Sequence, residues 1–250
     1  MPQNNINYVE SSDSVQRVGN RVGNYVNTDR VGKERLRCMY TNLDGISNKV
    51  GEFQSIVNKV TPDLIFLTET KGNESLLSSN IFDTSRFKVY RRDRPTPLGA
   101  GIWGGGVAIL VRSDLVSDDV YVDQLNRHQA EESVWCEVRL KGNRKLILGT
   151  VYRTPSSTNE NNDQICDLLR ISDQISGDNQ VVVCGDFNFS SIIWEGNNVD
   201  TNGYQSGQAN NFLECINDCH WVQHVQDWTC LRETDNPSRL DLISRNTTKM

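Results

Sequence analysis

The sequence predicts an α/β protein, and three observations carry that expectation. The first ordered half reads strand, helix, strand. The middle is strand-rich with a period of two, and the second half returns to a helix followed by a strongly apolar strand. That last strand is the most informative stretch. Val181, Val182 and Val183 suit a pleat covered on both faces, because β-branched side chains fit such a surface. Gly185 ends the run, and Asp186 and Asn188 follow at i and i+2, on one side of an extended backbone just past the strand's carboxyl end. A carboxylate and an amide held together there suit a metal or phosphate site, and equally an Asx-type turn leaving a core strand.

Residues 1–34 are rich in Asn, Ser, Gly and charge, with a short Arg-Val-Gly-Asn motif at 17–20 and 21–24 that returns as Arg-Val-Gly-Lys at 30–33. Too short for a solenoid repeat, this stretch is read as a disordered leader ahead of a domain at 35–250. Order begins with the strand Leu36 to Asn42. Val50, Phe53, Ile56, Val57 and Val60 then recur at helical spacing, and Thr61-Pro62 breaks the helix. Asp63 to Thr68 is a second buried strand with Glu69 at its carboxyl end. Gly104-Gly105-Gly106 precedes Val107 to Val111, but with no helix after it a phosphate loop does not fit, and the glycines open a strand. Val134, Cys136, Val138 and Leu140 alternate with Trp135, Glu137 and Arg139. A turn at 141–144 leads to a return strand ending at Tyr152. Ile165, Leu168, Leu169 and Ile175 mark the next helix, a further helix spans roughly 208–218, and 238–243 is a short strand containing Asp241.

Composition excludes several classes. With 36% hydrophobic and 23% charged residues, the 250-residue chain is ordinary for a globular protein. Its net charge of −6 leaves nucleic-acid contact to local clusters or bound cations. Two clusters qualify: Arg86, Lys88, Arg91, Arg92 and Arg94, and Arg139, Lys141, Arg144 and Lys145. Either can equally be a solvated face. The odd count of 7 cysteines, some inside apolar strand patterns, points to reduced thiols and an intracellular setting. No run is long enough to span a bilayer and no signal peptide stands at the start.

Asn42, Glu69, Tyr152 and the Asp186/Asn188 pair therefore stand at four strand ends, with Asp241 as a fifth element. In open α/β sheets, ligands bind outside the carboxyl ends of strands. Three carboxylates, two amides and a phenol suit a hard divalent cation such as Mg²⁺ and suit zinc poorly. Such a site would hydrolyse a phosphoester by metal-assisted attack of water.

Seven ordered motifs carry a resemblance: TNLDGISNK at 41–49, LIFLTET at 64–70, GGGVAILVR at 104–112, EESVWCEV at 131–138, VYRTPSS at 151–157, CGDFNFSSIIW at 184–194 and PSRLDLI at 237–243. On these the chain resembles the endonuclease/exonuclease/phosphatase family, and within it the apurinic-type endonuclease domain of non-LTR retrotransposons. The resemblance implies a four-layered, DNase I-like α/β sandwich that nicks DNA with Mg²⁺ (or Mn²⁺) for target-primed reverse transcription. A reverse transcriptase domain would follow in the full polyprotein, and a nuclear location is implied. Glu69 would be the main metal ligand, with Asn42 beside it and Asp186 and Asn188 completing the metal and phosphate set. Tyr152 would contact the scissile phosphate, Asp186 would orient the attacking water, and Asn188 would hold the pentavalent phosphate. Asp241 resembles the acid that orients the family's catalytic histidine or binds a second cation.

One departure matters. The family closes with a Ser/Thr-Asp-His motif downstream of the RLDLI-like segment, and this sequence has none; His128, His220 and His224 all precede Asp241. The chain is therefore expected to be a fragment lacking that last segment. Losing one member of a catalytic unit costs on the order of 10³-fold in rate. A non-catalytic remnant that binds nucleic acid and a same-fold phosphodiesterase or phosphatase are the alternative readings. Cys215, Cys219, His224 and Cys230 approach a zinc-knuckle spacing, but Phe212, Leu213 and Ile216 make that stretch an amphipathic helix.

Overall fold

The computed structural model describes residues 7–10, 14–17, 27–31, 34–72, 78–94, 105–120, 125, 132–195, 198–201, 206–226, 229 and 238–246. Within the stretch read as a leader lie three short strands, β1 (Asn7–Glu10), β2 (Ser14–Arg17) and β3 (Asn27–Val31). β1 and β2 form an antiparallel pair in which Val9 lies opposite Val15. β3 pairs antiparallel with the start of β4 (Glu34–Asn42).

From β4 onward, apolar periodicity builds four layers. After β4 come α1 (Val50–Val60), β5 (Leu64–Thr68), α2 (Ser78–Ile81), β6 (Phe87–Arg92), β7 (Val107–Arg112), β8 (Ser117–Asp119), β9 (Ser133–Arg139) and β10 (Lys145–Tyr152). Then follow α3 (Asn159–Ser176), β11 (Gln180–Asp186), β12 (Ile192–Glu195), β13 (Asn198–Thr201), α4 (Ser206–Asp218), β14 (Trp221–Gln223) and β15 (Asp241–Asn246). The first sheet runs β3-β4-β5-β7-β6 and the second β14-β15-β11-β10-β9-β8.

Strands buried on both faces divide their side chains by parity. Cys38, Tyr40, Leu64, Phe66, Ile109 and Val111 of the first sheet meet Cys136, Val138, Leu146, Leu148, Val182, Cys184 and Ile243 of the second in a core between the sheets. The intervening Met39, Ile65, Leu67, Ala108 and Leu110 face outward onto Phe53, Val57 and Val60 of α1. Trp135, Ile147, Val151, Val181 and Val183 likewise face Ile165, Leu168 and Leu169 of α3 and Phe212 and Cys215 of α4. The order is helix, sheet, sheet, helix, a DNase I-like sandwich.

Helix ends follow local rules. Left-handed Thr61 caps α1, its N–H donating to Val57 O at 2.8 Å, and Pro62 prevents continuation. At α3 the Thr158 hydroxyl accepts from Asn161 N at 3.2 Å.

Register then sets the functional rim. In the parallel pairs, Asn42 lies opposite Thr68 and Tyr152 opposite Asp186, so four strands end at one edge. β7 and β15 are antiparallel to their neighbours and therefore begin there, at Val107 and Asp241. Asp241, read from sequence as sitting inside a strand, is in fact its first residue. It reaches the rim because the strand direction reverses.

Candidate active site

The same parity that builds the inter-sheet core selects the site residues. Asn42 continues the Cys38–Tyr40 side of β4, Tyr152 the Leu146–Leu148 side of β10, and Asp186 the Val182–Cys184 side of β11. Each side chain sits where the two sheets open. Glu69 follows Thr68 with φ of 50°, and Asn188 has the same value. A left-handed conformation is uncommon outside glycine, and held strain of this kind concentrates at functional sites.

Hydrogen bonds draw these groups together across the sheets. Asn42 Nδ2 donates to Glu69 Oε1 at 2.9 Å and to Asp186 Oδ2 at 3.0 Å. Its Oδ1 accepts from Asp44 N at 3.0 Å, so the amide acts first as a bridge between the two acids. Asp186 Oδ1 accepts from Asn188 N at 3.2 Å, and Asn188 Nδ2 donates to Arg153 O at 2.7 Å. Tyr40 OH donates to Asp241 Oδ1 at 2.6 Å and lies 2.9 Å from Thr68 Oγ1. Thr229 Oγ1 accepts from Asp241 N at 3.0 Å. All six residues expected from sequence thus lie on one rim, and hydrogen bonds join Asn42, Glu69, Asp186 and Asn188.

Electrostatics follow from crowding acids in a partly dry rim. Burial raises the Asp186 carboxyl well above its ordinary value; the neighbouring Asp241 and Glu69 charges add to this, and Asn42 and the Asn188 N–H oppose it. Asp241 is pushed up to about 6, chiefly by burial, against hydrogen bonds from Tyr40 and Thr229. Burial followed by Glu69, Asp186 and Glu132 pushes the Tyr152 phenol up, so it stays a neutral donor.

Three participants escaped the sequence reading. Tyr40 looked like a core aromatic. Glu132 is buried beneath Tyr152: its carboxylate accepts from Gly106 N at 2.7 Å and pairs with Arg94, while its carbonyl accepts from Tyr152 N at 2.9 Å. The Arg94 guanidinium lies 6.0 Å from the Tyr152 ring centroid. Arg153 is only 1% exposed despite its charge. Its position next to Tyr152 was the one signal available.

The first basic cluster is divided by the fold. Arg91 and Arg92 pair with Ala108 and Val107 at the functional rim, whereas Phe87, next to Arg86, pairs with Arg112 at the opposite end. The second cluster occupies that far end too, since Arg139 pairs with Lys145.

Cys215 lies inside α4, and Cys219 N donates to Cys215 O at 3.1 Å, geometry that excludes a knuckle; Cys230 lies outside the described residues. His220 Nδ1 is 3.0 Å from Asn217 O, and Arg245 Nε donates to His224 Nε2 at 3.1 Å. His128, Gly104 and Glu131 also fall outside the described residues.

Among the described residues no three His, Cys, Asp or Glu side chains form a metal cage. The donor set nevertheless fits Mg²⁺, which uses one or two carboxylates and keeps several waters. Glu69 and Asp186, tied to one amide, are such a pair.

Two acids and an amide thus stand together at the open edge of a four-layered α/β sandwich. The Endonuclease/Exonuclease/phosphatase family profile matches residues 39–243, and the chain belongs to that family. No curated protein sequence matches it. Solved structures with the same fold include the endonuclease domain of TRAS1, a telomere-specific non-LTR retrotransposon, at 12% identity and TM-score 0.54, covering 84% of each chain. The AP endonuclease LMAP from Leishmania major is similar at 12% identity and TM-score 0.60, covering 84% of this chain and 78% of that one. The 3' phosphatase NExo from Neisseria, bound to product DNA hairpin, has 13% identity and TM-score 0.56, covering 84% and 86%. No helix among the described residues is long and apolar enough to cross a membrane.

Proposed function

We propose that this chain hydrolyses DNA phosphodiester bonds with a divalent cation, Mg²⁺ or Mn²⁺, as the endonuclease domain of a non-LTR retrotransposon. The observation that carries this reading is the Asn42 amide bridging Glu69 and Asp186 across the two sheets. It fixes two acids from different strands at one point of the rim.

Glu69 and Asp186 would hold the cation, with Asn42 and Asn188 beside them. When bound, the cation would neutralise charge on the phosphoryl oxygens and lower the pKa of a water. Tyr152, kept neutral, donates a hydrogen bond to a non-bridging oxygen. Asn188 uses one amide hydrogen on Arg153 O and has the other to offer the phosphate. Asp186 orients and deprotonates the attacking water. Asp241, held by Tyr40, supports Asp186 from the neighbouring strand. Arg92 flanks the site and suits a phosphate of the same strand, whereas Arg91 and Arg94 are paired with Asp93 and Glu132. Action on chromosomal DNA would require nuclear access, and in a full polyprotein a reverse transcriptase would use the nicked end.

The alternative reading is a catalytically inactive remnant that only binds nucleic acid. Nicking of supercoiled plasmid with Mg²⁺ tests both, with Glu69→Ala and Asp186→Ala alongside. Nicking that both substitutions abolish supports the enzyme; a folded chain that binds DNA without nicking it supports the remnant. Hydrolysis of inositol or lipid phosphates in place of plasmid would overturn the DNA assignment.

A further inference from the structure

Arg153 is the largest fully buried side chain described, and no carboxylate forms an ion pair with it among the described residues. A buried cation usually has one, because leaving water is costly for a charge. Among the described residues every hydrogen-bond partner of this guanidinium is neutral, and the Asp186 carboxylate acts on it only through space. Nε donates to Asn162 Oδ1 at 2.6 Å, and Nη1 donates to Asn188 O at 3.0 Å and more weakly to Phe187 O at 3.4 Å. Its central carbon lies 4.0 Å from the Phe189 ring centroid, and that ring stacks on Phe212 of α4 at 4.8 Å.

The backbone of the same residue is equally engaged. Arg153 N donates to Asp186 O at 2.9 Å, and Arg153 O accepts from Asn188 Nδ2 at 2.7 Å. One residue therefore touches 186, 187, 188 and 189, the segment in which Asn188 is left-handed. Two carbonyls of a strained loop converge on one planar fork, and the fork is anchored on α3 through Asn162. Lysine offers a point charge in place of that fork.

The geometry points to Arg153 as a positioning residue whose guanidinium clamps the Asp186–Asn188 loop to α3 and keeps both side chains aimed at the scissile phosphate. This rests on the hydrolytic reading above. The clamp acts through geometry, because the donors that matter go to loop carbonyls and to Asn162. A loop displaced by about 1 Å costs on the order of 100-fold in rate.

The test uses the full chain with Arg153→Met, Arg153→Lys and Asn162→Ala, each first melted to establish folding. Two readouts are taken: kcat and KM for Mg²⁺-dependent plasmid nicking, and amide hydrogen exchange of residues 186–189. The clamp predicts that kcat falls about 100-fold in both Arg153 variants, with KM changed less than about threefold. It also predicts that Asn188 N–H exchange accelerates while Val182 and Val183 stay protected. Asn162→Ala, which keeps the guanidinium, gives a smaller change in the same direction and replaces the Arg153 variants should they not fold. Full activity in Arg153→Lys, or unchanged Asn188 exchange, overturns the clamp. If the unsubstituted chain does not hydrolyse DNA, the hydrolytic reading fails, and the exchange measurement alone decides the clamp.

Discussion

Asp186 and Asp241 are a cross-strand pair, opposite each other on adjacent antiparallel strands at the rim of the second sheet. Like charges placed so are destabilising, and both carboxyls titrate above their ordinary value.

A pH dependence follows. Because each folded value is raised, the folded chain binds more protons than the unfolded one just above the usual carboxylate value of 3.8. The stabilisation is complete below that value and lost as pH rises through the folded values, about 6 for Asp241. For this half-buried acid it amounts to on the order of 2 kcal/mol. Thermal melts in EDTA should therefore show Asp241→Asn gaining on the unsubstituted chain between pH 4 and pH 7. Saturating Mg²⁺ should narrow that gap. A gap independent of pH would contradict the assignment.

Asn42→Ala removes one amide that serves two acids. Glu69 and Asp186 then lose their shared donor and drift apart, so nicking should fall by about 100-fold, as for the loss of a preorganised donor. Asn42→Asp places a third carboxylate between them. It should melt lower than Asn42→Ala without metal, and Mg²⁺ should raise its melting temperature more. Equal metal response in the two variants would count against the bridge.

The two basic clusters should behave differently. Arg92 shares the inner side of β6 with Tyr90 at the functional rim, whereas Arg144 is exposed at the far end. Arg92→Glu should weaken binding to any duplex sequence and lower the slope of log affinity against log salt by about 1. Arg144→Glu should leave both unchanged. The reverse result would move the DNA face to the opposite rim.

Gly185 lies where β10 and β11 meet, and a Cβ there would run into the backbone carbonyl of Val151. The obstacle is backbone, so no rotamer relieves it. Gly185→Ala should cost about 3 kcal/mol in urea unfolding and displace Asp186 from Tyr152. A variant with wild-type stability would mean that the parallel pair can shift.

Much of the fold was legible because apolar parity is a local property. Val181 to Val183, Leu64 to Leu67 and the helical spacing from Val50 to Val60 each specify a strand or helix without reference to a partner. The candidate site was legible to the same extent. Asn42, Glu69, Tyr152, Asp186 and Asn188 are polar residues at the ends of apolar strands, and a strand end is visible in one dimension.

Tyr40, Glu132 and Arg153 were not legible. An aromatic within a buried strand looks the same whether its hydroxyl meets Thr68 and Asp241 or nothing. A buried arginine cannot be told from an exposed one by type, and three of its partners, Asn162, Phe187 and Asn188, are 9, 34 and 35 residues away. The sequence by itself determined which strongly apolar segments become strands and which side of each of those strands carries the polar end. Only the packing of one sheet on the other decided which ends meet, because hydrogen bonds such as Asn42 to Asp186 span 144 residues and depend on register and strand direction.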